Sequence, residues 1–163
     1  MEVLLIDNDD LTRNTIIGGN VDVDKLVPAM KAAQKTMIKP LFSRELYDKL
    51  CEDFYNDNLT GDYFILWNEY LRDMLIYSAA EIYINTGAYT IANNGITKIA
   101  GEGSVTINKD ELSGQVEFYR RLYDLTKRDM EEWLKTTNLV PKTCKEQYIR
   151  VGGMLLKRPK NCK

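Results

Sequence analysis

The chain has 163 residues, 44% hydrophobic and 28% charged, a composition that suits one soluble globular domain and excludes wholesale disorder or a fibrous fold. A domain of this size buries roughly 70% of its unfolded surface without help from metals or disulfides. The net charge of −2 hides a division: residues 1–138 hold 15 Lys/Arg against 23 Asp/Glu, net −8, whereas residues 139–163 hold 7 against 1, net +6.

There is no histidine, which removes the commonest general base and the commonest transition-metal ligand together. Cys51, Cys144 and Cys162 are scattered without C-x-x-C spacing, which argues against a disulfide framework and a zinc site and fits a reducing interior. The start, MEVLLIDNDD, lacks the basic n-region and the longer apolar run of a secretory signal, so export is not expected.

In chain order, DNDDLTRNT predicts a short helix with Asp7 or Asn8 as N-cap and acids in its first turn, broken by IIGGN. DVDKLVPAMKAAQKTMIK places Leu26, Met30, Ala33 and Met37 on one helical stripe, with Pro28 near the first turn. Pro40 is expected to end this helix, because the residue before a proline is pushed out of the α region. A further helix follows in SRELYDKLCEDFYND, with Ser43 as N-cap and Leu46, Leu50 and Phe54 on its apolar face.

NDNLTGD is a turn-rich break, and a long helix is predicted from about 62 to 85. Its apolar residues cover most of the circumference: Phe64, Trp67, Leu71, Met74, Leu75 and Ile82, with Tyr63, Tyr70 and Tyr77. Such a helix is buried among others, and its charges Glu69, Arg72, Asp73 and Glu81 exclude a membrane span.

The last long helix opens with Asn108 and Glu111 in a variant capping box and carries a stripe of Leu112, Val116, Tyr119, Tyr123, Met130 and Trp133. The two long helices are expected to run antiparallel. Between them, YTIANNGITKIAGEGSVTIN switches to β-branched and turn chemistry, with the hairpin signal Asn94-Gly95 flanked by Ile91, Ile96 and Ile99. An isolated hairpin is marginal alone and needs a partner surface. In the tail, QYIRV and MLLK read as short strands around Gly152-Gly153.

The expected fold is therefore mainly α: a small helical bundle with long central and C-terminal helices and a β-hairpin insert between them, at about 89–107. Residues 1–138 form the helical domain and residues 139–163 a basic C-terminal extension.

The search for chemistry finds little. Gly18-Gly19 and Gly101-x-Gly103 lack the lysine-serine ending of a P-loop and the dinucleotide fingerprint, and read as turns. Asp9-Asp10, Glu52-Asp53 and Glu131-Glu132 have no EF-hand pattern and read as solvated helix faces. The ten tyrosines read as core or subunit contact rather than stacking platforms for nucleic acid. Lys142, Lys145, Arg150, Lys157, Arg158, Lys160 and Lys163 are candidates for contact with DNA or with a neighbouring subunit. No catalytic, cofactor-binding or metal-ligating residue is identified.

The order of motifs resembles the head-tail connector proteins of tailed bacteriophages. The likeness rests on Ala33-Gln34 at the end of one helix, the Lys39-Pro40-Leu41 break, the Leu46-Tyr47-Asp48 helix, a long central helix, an Asn-x-Gly-Ile segment at Asn93, Gly95 and Ile96, and a long final helix. It covers about residues 1–138; the basic extension lies beyond it, and Ser43 stands where a glycine is expected.

The resemblance implies a non-enzymatic structural protein of the virion neck, without cofactors. It would be made in the host cytoplasm and assembled, usually in twelve copies, into a ring below the portal. That ring would join capsid to tail and line or extend the channel for DNA, which passes without sequence specificity. Its partners would be itself, the portal protein and further neck or tail proteins, with no membrane. Ile91, Asn93, Asn94, Gly95, Ile96, Ile99, Val105 and Ile107 are the residues expected at the subunit or portal interface. The rival expectation is a small nucleic-acid-binding regulator that docks through the basic tail. A hydrolase using metals held by carboxylates alone is disfavoured for want of ligand spacing.

Overall fold

Asp7 and Asp10 open the first helix by capping each other. The Asp7 carboxylate accepts from the Asp10 N–H at 2.8 Å, and the Asp10 carboxylate accepts from the Asp7 N–H at 3.2 Å. The computed structural model describes residues 3–18, 21–87, 89–92, 95–98, 109–139, 148–151 and 154–157. Its helices are α1 (Asn8–Asn14), α2 (Val23–Ala33), α3 (Arg44–Tyr55), α4 (Gly61–Ile65), α5 (Arg72–Gly87) and α6 (Lys109–Leu134). The fold is mainly α.

Two of the predicted helices contain a wide turn. α2 continues through a π turn at Gln34–Ile38 into a 3-10 turn at Lys39–Leu41, and α4 continues through a π segment at Leu66–Leu71 into α5. The expected break at Pro40 is thereby corrected. Lys39 stays right-handed helical (φ −52°, ψ −39°), its N–H donates to the Gln34 carbonyl five residues back, and the chain first becomes extended at Phe42 (φ −121°, ψ 158°). The π turn displaces the carbonyl that the proline ring would strike in a regular α-helix. Pro28 sits in the second turn of α2 rather than the first, so the Asp24 carbonyl receives no N–H from it.

α3 begins at its expected cap, where the Ser43 hydroxyl accepts from the Leu46 N–H at 3.3 Å. It ends in a Schellman arrangement: the Asn58 N–H donates to Asp53 C=O at 2.8 Å and the Asp57 N–H to Phe54 C=O at 3.3 Å, with Asp57 left-handed at φ 53°.

The helix over residues 61–87 is the centre of the bundle, with α2 and α6 against it. Tyr70 meets Trp133 (ring centroids 5.4 Å apart) and Tyr77 stacks on Tyr119 (6.4 Å), so the partner number falls as the central helix advances and α6 runs antiparallel. The core gathers Leu5, Leu11, Leu26, Met30, Ile38, Leu50, Leu71, Met74, Leu75 and Met130. Met74, Leu75, Ile76, Ser78, Ala79 and Ala80 are all buried, as expected of a helix packed on several sides. The exception is its start, where Phe64 and Ile65 are exposed. No helix among the described residues is long and apolar enough to cross a membrane.

Two short antiparallel pairings of main chain are also described. β1 (Tyr89–Ala92) pairs with β2 (Gly95–Lys98), and β3 (Tyr148–Val151) pairs with β4 (Met154–Lys157). These eight-residue pairings do not make the whole of 89–107 a β insert, since residues 99–108 lie outside the described residues, as does Asn108 of the predicted capping box.

Candidate assembly interface

The tyrosine stripe of α6 faces inward. Tyr119 and Tyr123 are buried, and their phenols tie α6 to distant backbone: the Tyr119 oxygen accepts from the Ile16 N–H at 2.9 Å, and the Tyr123 hydroxyl donates to the Met37 carbonyl at 3.0 Å. Of the two readings open for tyrosine, core or subunit contact, these belong to the core. Burial pushes the Tyr123 phenol up to about 12, because the ionised form is disfavoured there.

One flank of α6, next to its buried stripe, carries Phe118, 53% exposed, and Leu125, 42% exposed, with the half-buried Leu122 between them packed against the core. Positions 118, 122 and 125 fall on one helical face, so the apolar surface of α6 extends from its buried stripe onto an exposed flank. Ile16, 62% exposed, lies at the loop that Tyr119 holds. On the other flank of the buried stripe, Arg120 fixes α6 to α5 by donating from Nε to Glu81 at 3.1 Å.

At the other end of the bundle a buried amide reads the N-terminal segment. Gln34 accepts from the Leu5 N–H at 3.0 Å and donates to the Val3 carbonyl at 2.6 Å and to the Tyr47 hydroxyl at 2.8 Å. The Trp67 indole donates to the Leu5 carbonyl at 2.9 Å. These side chains hold residues 3–6 against the helices. Beside them is a cavity of about 390 Å³ lined by Val3, Leu4, Gln34, Tyr47 and Cys51, with Lys31, Lys35 and Lys39 along one edge and Asp48 on the other side. Neither feature is marked by a sequence motif, although the four-residue lysine spacing is visible once the helix is known.

Two of the acidic pairs contribute to ion pairs, Asp9 meeting Arg13 at 3.0 Å in the first. Asp10 meets Arg72, whose Nε donates to it at 2.9 Å, and Asp53 meets Lys49 at 2.7 Å. The Asp10 carboxylate holds the Arg72 guanidinium above its ordinary range, and burial pushes the nearby Asp73 carboxyl up.

The residues predicted for the interface are placed only in part. Ile91 lies opposite Ile96, and Gly95 is a strand residue opposite Ala92. Asn93, Asn94, Ile99, Val105 and Ile107 lie outside the described residues. In the tail, Arg150 lies opposite Leu155 and Lys157 opposite Tyr148, while Lys142, Lys145, Arg158, Lys160 and Lys163 lie outside them.

No curated protein and no solved structure matches the chain. Residues 38–149, from the π turn through all of α6 and into β3, match the family described as a family of unknown function, DUF6712, and the chain belongs to that family.

Proposed function

We propose that the chain is a structural subunit of the neck of a tailed bacteriophage, one of about twelve copies in a ring below the portal that joins capsid to tail and surrounds the DNA channel. It has no catalytic role in this reading. The motif order from Ala33-Gln34 to the final helix supports it. The structural observation that carries it is the exposed flank of α6, where Phe118 and Leu125 leave large apolar side chains in water. A second subunit seated there would bury both. The segment 89–107, read as a β insert, would extend a neighbour's β structure, since among the described residues its strand pair has no third strand, and heterologous contacts of this kind close into rings.

The test is the double variant Phe118→Asp, Leu125→Asp, mixed with the portal protein encoded in the same genome and followed by sedimentation. The wild-type chain should co-sediment with portal rings and the variant should not. Equal co-sedimentation of both would remove α6 from the interface.

A further inference from the structure

We propose that the lysine-edged groove between the π turn and α3 is a docking site for an extended acidic peptide segment of a partner protein, with acidic and apolar residues alternating. Lys31, Lys35 and Lys39 all line the same cavity of about 390 Å³. At 100° per residue, successive four-residue steps on a regular α-helix drift by roughly 40°, which would spread three lysines over roughly 80°. The π turn at Gln34–Ile38 takes more residues per turn, so the step from Lys35 to Lys39 falls closer to a full circle and the three ammonium groups share one edge.

Their separation along the helix suits a strand. Four residues of helix rise by roughly 6 Å, close to the roughly 6.6–6.8 Å between alternate residues of an extended chain. Acidic side chains at every second position of such a segment would meet successive lysines. The intervening side chains would turn to the wall made by Val3, Leu4 and Cys51.

The charges are available and the wall is pre-formed. Among the described residues, none of Lys31, Lys35 and Lys39 is in an ion pair, and Asp48 across the groove is paired with Arg44 at 3.4 Å. Lys39 lies 5.5 Å from the centre of the Tyr47 ring, which holds its positive charge at the groove edge. Gln34 fixes Val3 and Leu5 through their main-chain groups, so the apolar wall needs no ordering on binding. A peptide fits better than nucleic acid because the apolar wall of Val3, Leu4 and Cys51 stands with the lysines in the same groove, and alternate side chains of an extended peptide supply both charge and apolar contact where a phosphate backbone supplies charge alone.

The inference does not rest on the ring reading and is tested on the isolated full chain. Fluorescence anisotropy would follow a labelled Glu-Val-Glu-Val-Glu peptide, with a labelled five-nucleotide thymidine strand as the competing chemistry. The peptide should bind saturably at low salt. Lys35→Glu should weaken it about tenfold or more, and Lys25→Glu, exposed on α2 but outside the groove, should leave it unchanged. Bound peptide should also slow alkylation of Cys51, read by peptide mass mapping that separates it from Cys144 and Cys162. Absence of saturable binding, equal binding by the Lys35→Glu variant, or preference for the thymidine strand would each overturn the assignment.

Discussion

The hydroxyl of Tyr123 donates to the carbonyl of Met37 at 3.0 Å, joining α6 to the π turn across 86 positions of sequence. A π turn frees carbonyls from the regular ladder, and this one is met by a buried phenol. Tyr123→Phe removes the donor and leaves that carbonyl in an apolar setting, so it should destabilise the fold by about 1–2 kcal/mol. Urea unfolding, with an unchanged slope, would measure it.

The same phenol predicts a pH dependence. Its folded value is about 12, above the ordinary 10, so the fold favours the protonated form. The corresponding stability is complete below about pH 10 and is lost as pH rises towards 12. Lysines also titrate in this range, so the comparison is between wild type and Tyr123→Phe. The gap in stability between them should close from pH 10 to 12.

Gln34→Leu should be more damaging than its single position suggests. The change leaves the Leu5 N–H and the Val3 carbonyl without their amide partner and should destabilise by about 2–4 kcal/mol. Hydrogen exchange should show loss of protection at Leu5 before the centre of α5.

Asp57→Gly should stabilise. Asp57 is held left-handed at φ 53° at the end of α3, where glycine has no steric penalty, and the gain should be about 0.5–1 kcal/mol. Thermal unfolding would detect it as a rise in Tm.

The helices were legible because their apolar residues keep helical spacing. Leu26, Met30 and Ala33, or Leu46 and Leu50, name the buried faces of α2 and α3, and Asp7 and Ser43 name two starts. The π turns were not, since no residue type demands them. The long-range ties were hidden for the same reason. Nothing local marks Tyr119 as the partner of Ile16, 103 positions away, or Gln34 as the clamp on the N-terminal segment. Of the predicted interface, the register Ile91 to Ile96 is described, whereas the strand signal at Val105 and Ile107 and most of the basic tail fall outside the described residues.

The central claim is assembly on a portal, and native mass spectrometry of this protein mixed with the portal protein from the same genome tests it most directly. A discrete complex with one copy per portal subunit, lost when residues 89–107 are deleted from a chain that still folds, is the result the ring reading predicts. No complex, accompanied by steeply salt-dependent DNA binding that disappears on truncation at Asn138, would contradict it and favour a nucleic-acid-binding role for the basic tail.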